Sequence, residues 1–245
     1  MSLLFNSFFL HVKMITTFDE NYIASAYDED LNLGTEFFDL GDCYNILFCA
    51  WSRAGKGVFI NYLLTRDLIH RLPSIKNLYI FSPTFKDDKS FAPVRNLMYK
   101  RLTDQDIKTH IQDTIDFETI SQIIAKQNEI KTHNDELRWK KLKMTEAQKR
   151  ETISQQQLKK LDKYVILIDD LLDSRDFTSF FGGLSGLCTK NRHWNIVFLF
   201  SGQHFTKISP VIRAQSDLIF LGFMHPLSDL MFRSLADSNK VKALK

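Results

Sequence analysis

The sequence predicts an α/β fold, with a mostly parallel sheet flanked by helices in one large domain. Five short apolar runs have the length of buried strands, and they lie at residues 44–50, 77–82, 164–168, 195–201 and 217–222. Helical patterns separate several of these runs, and such alternation is typical of parallel strands covered on both faces. The chain has 245 residues, 44% of them hydrophobic and 25% charged, and one core can still grow at that size.

The N-terminal segment is apolar but interrupted by polar residues. Residues 1–14 are too few to span a bilayer, and they lack the basic start and small-residue cleavage site of a signal peptide. We expect a strand or short helix that packs on the domain or on a neighbouring subunit. Residues 1–40 then form an extension to a domain at residues 41–245.

The first two strands are recognised by the residues at their carboxyl ends. Residues 44–50 lead into a small-residue turn and then into an amphipathic stretch at residues 58–72, which stops at a proline. This order predicts a strand, a loop and a helix. Residues 77–82 end at Pro83 and predict a second buried strand. Residues 177–190 predict a further helix, after the third strand.

A long polar segment interrupts the domain. Residues 117–163 contain no proline or glycine and are rich in Gln, Lys, Glu and Leu, which predicts an insertion of one or two long, exposed helices. Residues 125–163 carry eleven Lys or Arg against six Asp or Glu, whereas the whole chain has a net charge of only +3. A solvated helical face explains this local positive charge, and so does an arm that contacts DNA or a protein partner.

A candidate phosphate-binding loop joins the first strand to the first helix. Residues 50–58 read AWSRAGKGV. A glycine before a lysine lets backbone N–H groups surround phosphates, and the lysine reaches the β- and γ-phosphates. The helix after the loop adds the positive end of its dipole. The candidate nucleotide-binding residues are Ser52, Arg53, Ala54, Gly55, Lys56, Gly57 and Val58.

Two positions depart from the GxxxxGK[ST] pattern of such loops. Ala50 replaces the first glycine, which is a small change. Gly57 replaces the Ser or Thr whose hydroxyl binds Mg²⁺, so the ion needs water, another hydroxyl such as Ser52, or the downstream acids. If water fills that place, Gly57→Ser is expected to keep or raise Mg²⁺-dependent turnover. If the loop needs the backbone freedom of glycine, turnover should collapse.

Two acids come directly after the third strand. Residues 164–168 are apolar and lead to Asp169 and Asp170. At such a place one acid orients Mg²⁺, and the next polarises the attacking water. An alternative explanation is that Asp170 or Asp173 caps the next helix. The sequence also places Gln203 after a later strand, and its amide is suited to sensing a γ-phosphate or positioning water.

The order and spacing of these motifs resemble those of the packaging ATPases of poxviruses, other large DNA viruses and virophages. Such ATPases belong to the FtsK/HerA branch of P-loop motors, and virophage ATPases of the Sputnik type are the nearest resemblance. The segment 125–163 and both termini contribute nothing to it. The matching motifs are the AGK loop, YIFSPT at 79–84, the ILIDD strand, KNRH at 190–193, SGQ at 201–203 and PVIR at 210–213.

The resemblance implies a P-loop NTPase and a role for each matching residue. Lys56 would bind phosphate, Asp169 would bind Mg²⁺, and Asp170 would be the acid that acts on water. Gln203 would sense the γ-phosphate. The family usually has Glu where this chain has Asp170, which is shorter by one methylene.

The resemblance also implies a Mg²⁺-dependent ATPase that moves double-stranded DNA into a viral capsid, at its portal vertex, as a homo-oligomeric ring with no membrane partner. Ring motors complete each site with an arginine from the adjacent subunit, and Arg192 and Arg213 are the candidates. A surface salt bridge or a DNA contact explains either arginine as well. The implied location is the viral factory in the host cytoplasm.

The cysteines agree with an intracellular chain. Cys43, Cys49 and Cys188 are odd in number and lack CxxC spacing, which argues against a disulfide framework and a zinc site.

Two other functions stay open. Gly57 can mark a decayed site in a nucleotide-binding scaffold protein, and a small-molecule kinase also uses a phosphate loop. A kinase predicts a compact monomer with an acceptor pocket, whereas a motor predicts phosphate release that responds to DNA.

Overall fold

The described part of the chain forms a seven-stranded sheet, and all of the strand pairs found there are parallel. The computed structural model describes residues 12–14, 43–52, 54–143 and 158–222. The order across the sheet is β1-β7-β2-β6-β5-β3-β4, which confirms the predicted parallel α/β fold. The strands are β1 (Val12–Met14), β2 (Asn45–Cys49), β3 (Leu78–Phe81), β4 (Ile111–Gln112), β5 (Tyr164–Asp169), β6 (Ile196–Gly202) and β7 (Leu218–Leu221).

Helices cover both faces of this sheet. The first three contribute to one apolar cluster, and the other four contribute to the cluster on the opposite face. The helices are α1 (Lys56–Leu63), α2 (Ala92–Arg101), α3 (Asp104–His110), α4 (Phe117–Lys143), α5 (Arg175–Thr178), α6 (Gly183–Lys190) and α7 (Pro210–Gln215).

Strand β2 shows why its apolar run is continuous. Ile46 and Phe48 belong to one apolar cluster, while Leu47 and Cys49 belong to the other. Successive side chains of a strand point to opposite faces, so a strand with helices on both sides needs apolar residues at every position. Each large side chain buried in this way stabilises the fold by about 1.5–3 kcal/mol.

The first helix keeps its predicted extent but changes its hydrogen bonding. Beyond α1 the chain forms a π-helical turn at Leu64–Leu68 and a 3₁₀ turn at Ile69–Arg71. The hydroxyl of Thr65 donates to the carbonyls of Asn61 and Tyr62, at 2.8 and 3.2 Å. Such hydrogen bonds from a side chain to the preceding turn disturb the regular α-helical ladder.

The single helix predicted at residues 177–190 is wrong, because α5 and α6 are separate. Between them a Cβ at Gly182 would overlap the backbone carbonyl of Asp176, so two chain segments approach too closely there for a continuous helix. Four further elements were not predicted, namely α2, α3, α7 and the two-residue strand β4.

The predicted insertion begins as one helix of 27 residues, about 40 Å long. Its first turns are not exposed as predicted, because Ile120 and Ile123 are buried under the sheet. Lys126 then pairs with Asp162 at 2.9 Å, just before β5 starts. The helix therefore crosses the sheet and leaves it at the edge where the strands begin.

The N-terminal segment contributes a strand to the sheet. Val12–Met14 pairs with β7 in parallel, as expected for a segment that packs on the domain. The rest of residues 1–42 lies outside the described part of the chain. Within the described part, no helix combines the length and apolar character needed to cross a bilayer.

Candidate nucleotide-binding site

The strand order brings the predicted motifs to one edge of the sheet. Strand β6 lies between β2 and β5, so the carboxyl ends of these three strands are adjacent. Cys49 of β2 is opposite Gly202 of β6, and Asp169 of β5 is opposite Ser201. Ligands of open parallel sheets bind outside the carboxyl ends of the strands, where the strand order reverses. The phosphate loop, the acid pair and Gln203 all lie just beyond these ends.

The phosphate loop has the backbone that the glycine pattern predicts. Gly55 adopts a left-handed conformation with φ of 81°, which favours glycine, and it directly precedes α1. Within the described residues no side chain caps the start of α1, and its first turn contains no acid. The backbone N–H groups at this helix end are therefore available to an anion, and the helix dipole favours one there.

Lys56 lies close to the acid at the end of β5. Its half-buried side chain donates a hydrogen bond from Nζ to the carbonyl oxygen of Ala50 at 3.1 Å, within the loop. Burial raises the pKa of Asp169 and that of the Cys49 thiol, and the positive charge of Lys56 is near enough to oppose both rises. The loop lysine and the strand acid thus share one side of the molecule.

The other loop candidates differ in exposure. Ser52 is exposed, while Ala54 and Val58 are half-buried. Arg53 lies outside the described residues.

Asp169 is a buried carboxylate at the end of β5. It is 6% exposed, and its Oδ2 accepts a hydrogen bond from the hydroxyl of Ser82 at 3.1 Å. Burial raises the pKa of Asp169, whereas Ser201, Lys56 and Ser82 oppose that rise. A buried carboxylate with so few partners is suited to a cation that replaces its lost hydration.

Asp170 adopts a left-handed backbone conformation, with φ of 55°. Its Oδ1 accepts a hydrogen bond from Nε2 of Gln203 at 3.1 Å, so the second acid and the predicted sensor are in direct contact. Among residues other than glycine, Asp and Asn enter this conformation most readily. The left-handed backbone at position 170 therefore favours Asp over the longer Glu.

The capping explanation for the acids is wrong. Ser174 is the N-cap of α5, and its hydroxyl accepts a hydrogen bond from the backbone N–H of Asp176 at 3.3 Å. Neither Asp170 nor Asp173 caps that helix.

Arg192 lies near the amino-terminal ends of the strands, at the edge of the sheet opposite the phosphate loop. It is exposed, and its guanidinium contacts Asp217 at 2.6 Å. Asp217 in turn accepts a hydrogen bond from the backbone N–H of Asn45, where β2 begins. An exposed ion pair of this kind contributes up to about 1 kcal/mol.

Arg213 lies on α7 and is half-buried. Its guanidinium is 5.0 Å from the centre of the Phe205 ring, and burial lowers its pKa. Within the described residues its Nε has no hydrogen-bond partner. Roles for Arg192 and Arg213 in a neighbouring subunit's site stay predictions.

The donors at this edge fit a nucleotide with Mg²⁺. In the described residues no group of three or more His, Cys, Asp and Glu side chains could hold a metal ion. Mg²⁺ usually binds through one or two carboxylates, substrate phosphates and water, so it does not need such a group. Asp169 would supply a carboxylate to such an ion, and the loop around Lys56 would hold the phosphates.

Sequence reasoning missed three residues at this site. Ser82 lies in the YIFSPT motif but was given no role, and Ser90 lies in none of the motifs. Both contact predicted site residues because segments distant in sequence meet in the fold. Gly222 contacts the loop from the end of β7, since a Cβ there would lie 2.6 Å from Cβ of Ala50. Ala50 stands where the loop pattern has its first glycine, and the absence of a side chain at Gly222, which is distant in sequence, leaves space for its methyl group.

The contact between Gly222 and Ala50 gives a testable prediction. Gly222→Ala should displace the loop, weaken nucleotide binding and destabilise the fold by about 1–3 kcal/mol, because its methyl group collides with that of Ala50. Adding Ala50→Gly should restore both properties. Urea unfolding and titration with a fluorescent ATP analogue measure them. Gly186→Ala is the matched control, since nothing lies within 4 Å of a Cβ there; wild-type behaviour of Gly222→Ala would contradict the prediction.

Solved structures are similar to the chain at low sequence identity. The genome packaging NTPase B204 from Sulfolobus turreted icosahedral virus 2, in complex with sulfate, has 17% identity and a TM-score of 0.48, over 83% of this chain and 88% of that one. Its complex with ATP-gammaS has 16% identity and a TM-score of 0.46, over 84% and 89%. The cytoplasmic domain of EssC has 12% identity and a TM-score of 0.41, over 79% and 35%. Neither a protein-family model nor a curated protein matches the chain.

Proposed function

We propose that this chain is an ATP-hydrolysing motor subunit that translocates double-stranded viral DNA into a capsid. The proposal rests on the strand order, because β6 lies between β2 and β5 and the carboxyl ends of the three strands are therefore adjacent. This order sets the loop of Lys56 beside the acids at the end of β5, with Gln203 in hydrogen-bond contact with Asp170. The DNA part of the proposal rests on the motif resemblance and on the local positive charge of residues 125–163.

The chain's own residues divide the hydrolytic work. When bound, Mg²⁺ would neutralise charge on the β- and γ-phosphates. The N–H groups at the start of α1 and the ammonium group of Lys56 hold the phosphates in place, and Asp169 supplies the carboxylate for the metal. Asp170 accepts the proton of the attacking water, and Gln203 fixes the orientation of its carboxylate. Holding the reacting groups in line is the main requirement of phosphoryl transfer.

The DNA-contacting surface is proposed to lie on the basic insertion. Helix α4 leaves the sheet near Asp162, at the edge opposite the phosphate loop. Contacts from Lys and Arg to backbone phosphates are independent of sequence, and added salt weakens them because it reduces the gain from counterion release. We therefore place DNA and nucleotide on different ends of the subunit, with a ring of subunits completing each site at the portal vertex of a capsid assembled in the viral factory.

Phosphate release with and without duplex DNA tests this function. We expect Mg²⁺-dependent release of phosphate that duplex DNA of any sequence stimulates. This stimulation should fall steeply between about 50 and 200 mM salt, the range in which contacts to backbone phosphates lose most of their affinity. Lys56→Ala should lower the rate about 100- to 1,000-fold, because a charged contact to the phosphates is lost. Lys108→Ala, an exposed lysine on α3 outside the motifs, is the control.

The same assay separates the alternatives. Equal background release by the wild type and Lys56→Ala would favour a nucleotide-binding scaffold protein, to which the loss of a hydroxyl at Gly57 points. Size-exclusion chromatography with ATP distinguishes the motor from a small-molecule kinase. A ring supports the motor, and a compact monomer with an acceptor pocket contradicts it.

A further inference from the structure

Gly57, next to the loop lysine, lies against a segment on the carboxyl side of β3. A Cβ at Gly57 would overlap the hydroxyl oxygen of Ser90 and would lie 3.1 Å from Cβ of Ser90 and 3.4 Å from Oδ2 of Asp88. Among the described glycines only Gly55 has a positive φ, so the backbone at position 57 does not itself require glycine. Glycine is required there because the hydroxyl of Ser90 occupies the space of a side chain.

Ser90 is held firmly in this position. Its backbone N–H and its hydroxyl both donate to Oδ1 of Asp88, at 2.8 and 2.7 Å. Arg95 donates to the carbonyls of Phe85 and Asp88 at 2.7 and 2.9 Å, and Phe91 next to Ser90 is fully buried. The side chain is thus fixed by hydrogen bonds and by packing on both sides, as a preorganised ligand should be.

The hydrogen bond to Asp88 also sets the direction of the Ser90 hydroxyl. A hydroxyl has one proton to donate and two lone pairs to offer. Because the proton points to Asp88, the lone pairs remain for another partner. Both Ser90 and Asp88 are half-buried, so a partner can still reach them.

The same segment contacts the acid at the end of β5. It begins at Ser82, whose hydroxyl donates to Asp169 at 3.1 Å and lies 3.3 Å from the hydroxyl of Thr84. From there the chain turns, with the N–H of Asp88 donating to the carbonyl of Thr84 at 2.9 Å. One stretch of nine residues, 82–90, thus reaches from the proposed metal-binding carboxylate to the start of α1.

We propose that the hydroxyl of Ser90, oriented by Asp88, takes the place of the missing Ser or Thr at position 57 as the hydroxyl ligand of the Mg²⁺ that accompanies the nucleotide. Phosphate loops normally supply this hydroxyl from the residue after the lysine. Here a separate segment supplies it, and that segment also holds Asp169 through Ser82. The inference rests on the proposed function, since it needs a nucleotide at the loop.

Metal binding tests the proposal without any need for turnover. Mn²⁺ is the probe, and electron paramagnetic resonance gives its dissociation constant in the presence of a saturating non-hydrolysable ATP analogue. Ser90→Ala should weaken Mn²⁺ binding about 10- to 100-fold. The affinity for the analogue in EDTA should stay at the wild-type value. Ser74→Ala is the matched control, because Ser74 directly precedes the short 3₁₀ turn at Ile75–Asn77, while Ser90 lies in the short 3₁₀ turn at Lys89–Phe91.

Three further variants distinguish a direct ligand from a packing contact. Ser90→Cys should weaken Mg²⁺ binding but restore metal-dependent affinity with Cd²⁺, because a thiolate prefers softer ions. Gly57→Ser alone should destabilise the loop through the collision with Ser90, whereas Gly57→Ser together with Ser90→Ala should recover Mn²⁺ binding by returning a hydroxyl to the same space.

The outcomes separate this proposal from the proposed function. If Ser90→Ala binds Mn²⁺ like the wild type while the wild type hydrolyses ATP, the hydroxyl of Ser90 is a packing contact and the proposal fails alone. If Ser90→Ala loses analogue affinity equally in EDTA and in Mn²⁺, its role is structural and the proposal also fails. If the wild type binds no analogue under any condition, the proposed function itself fails.

Discussion

Asp169→Asn is expected to lower the rate of Mg²⁺-dependent ATP hydrolysis by at least about 100-fold, since metal stabilisation of the developing charge is worth several kcal/mol. Asparagine keeps the shape of the side chain and can still accept the hydrogen bond from Ser82. It loses the negative charge, and Mg²⁺ binds carboxylates far better than amides. The fold should survive, because burial already disfavours the charge at this position and raises the pKa of the carboxyl group.

Two measurements check the Asp169 prediction. Phosphate release gives the rate, and titration of an ATP analogue with and without Mg²⁺ shows whether the metal-dependent part of the affinity is lost. Asp173→Asn is the matched control, an exposed acid four residues further along the chain. A rate for Asp169→Asn equal to that of the control would place the metal elsewhere and refute the assignment.

Asp170→Asn is expected to lower kcat about 100- to 10,000-fold while nucleotide affinity is retained, as for the loss of a general base. Asparagine tolerates the left-handed conformation found at this residue, so the backbone should not move. Its side-chain oxygen can still accept the hydrogen bond from Gln203. The change therefore removes the basic carboxylate and little else.

Asp170→Glu separates the charge of the second acid from its geometry. Glutamate restores the residue usual in the resembling family but costs roughly 1–2 kcal/mol in a left-handed conformation. We expect it to recover only part of the rate, and single-turnover phosphate release measures the recovery. Near-normal turnover by Asp170→Asn would instead show that another group accepts the proton.

The core strands and the positions of the motifs were predictable from the sequence. The five apolar runs became β2, β3, β5, β6 and β7, with ends within two residues of the predicted ones. Their apolar character is continuous because helices cover both faces of each strand. The break between α5 and α6 was missed, since it depends on how closely Gly182 approaches the backbone of Asp176.

The candidate site was only partly predictable. Gly55 and Lys56 are marked by a local pattern, because the turn and the helix start are built by neighbouring residues. The absence of a hydroxyl at Gly57 looked like a defect or a place for water. The structure instead shows the hydroxyl of Ser90 in that space, a contact between residues 33 positions apart that no spacing rule describes.

By itself the sequence determined which residues form the five core strands, where the phosphate loop turns and which strand ends carry acids and amides. Burial periodicity and turn chemistry act between near neighbours, so the chain reveals them locally. Only the tertiary structure decided that β6 lies between β2 and β5, that Asp170 contacts Gln203, and that Ser90 and Gly222 shape the loop. The physical reason is that long crossover connections between parallel strands set these contacts, and the local sequence does not specify where such connections return.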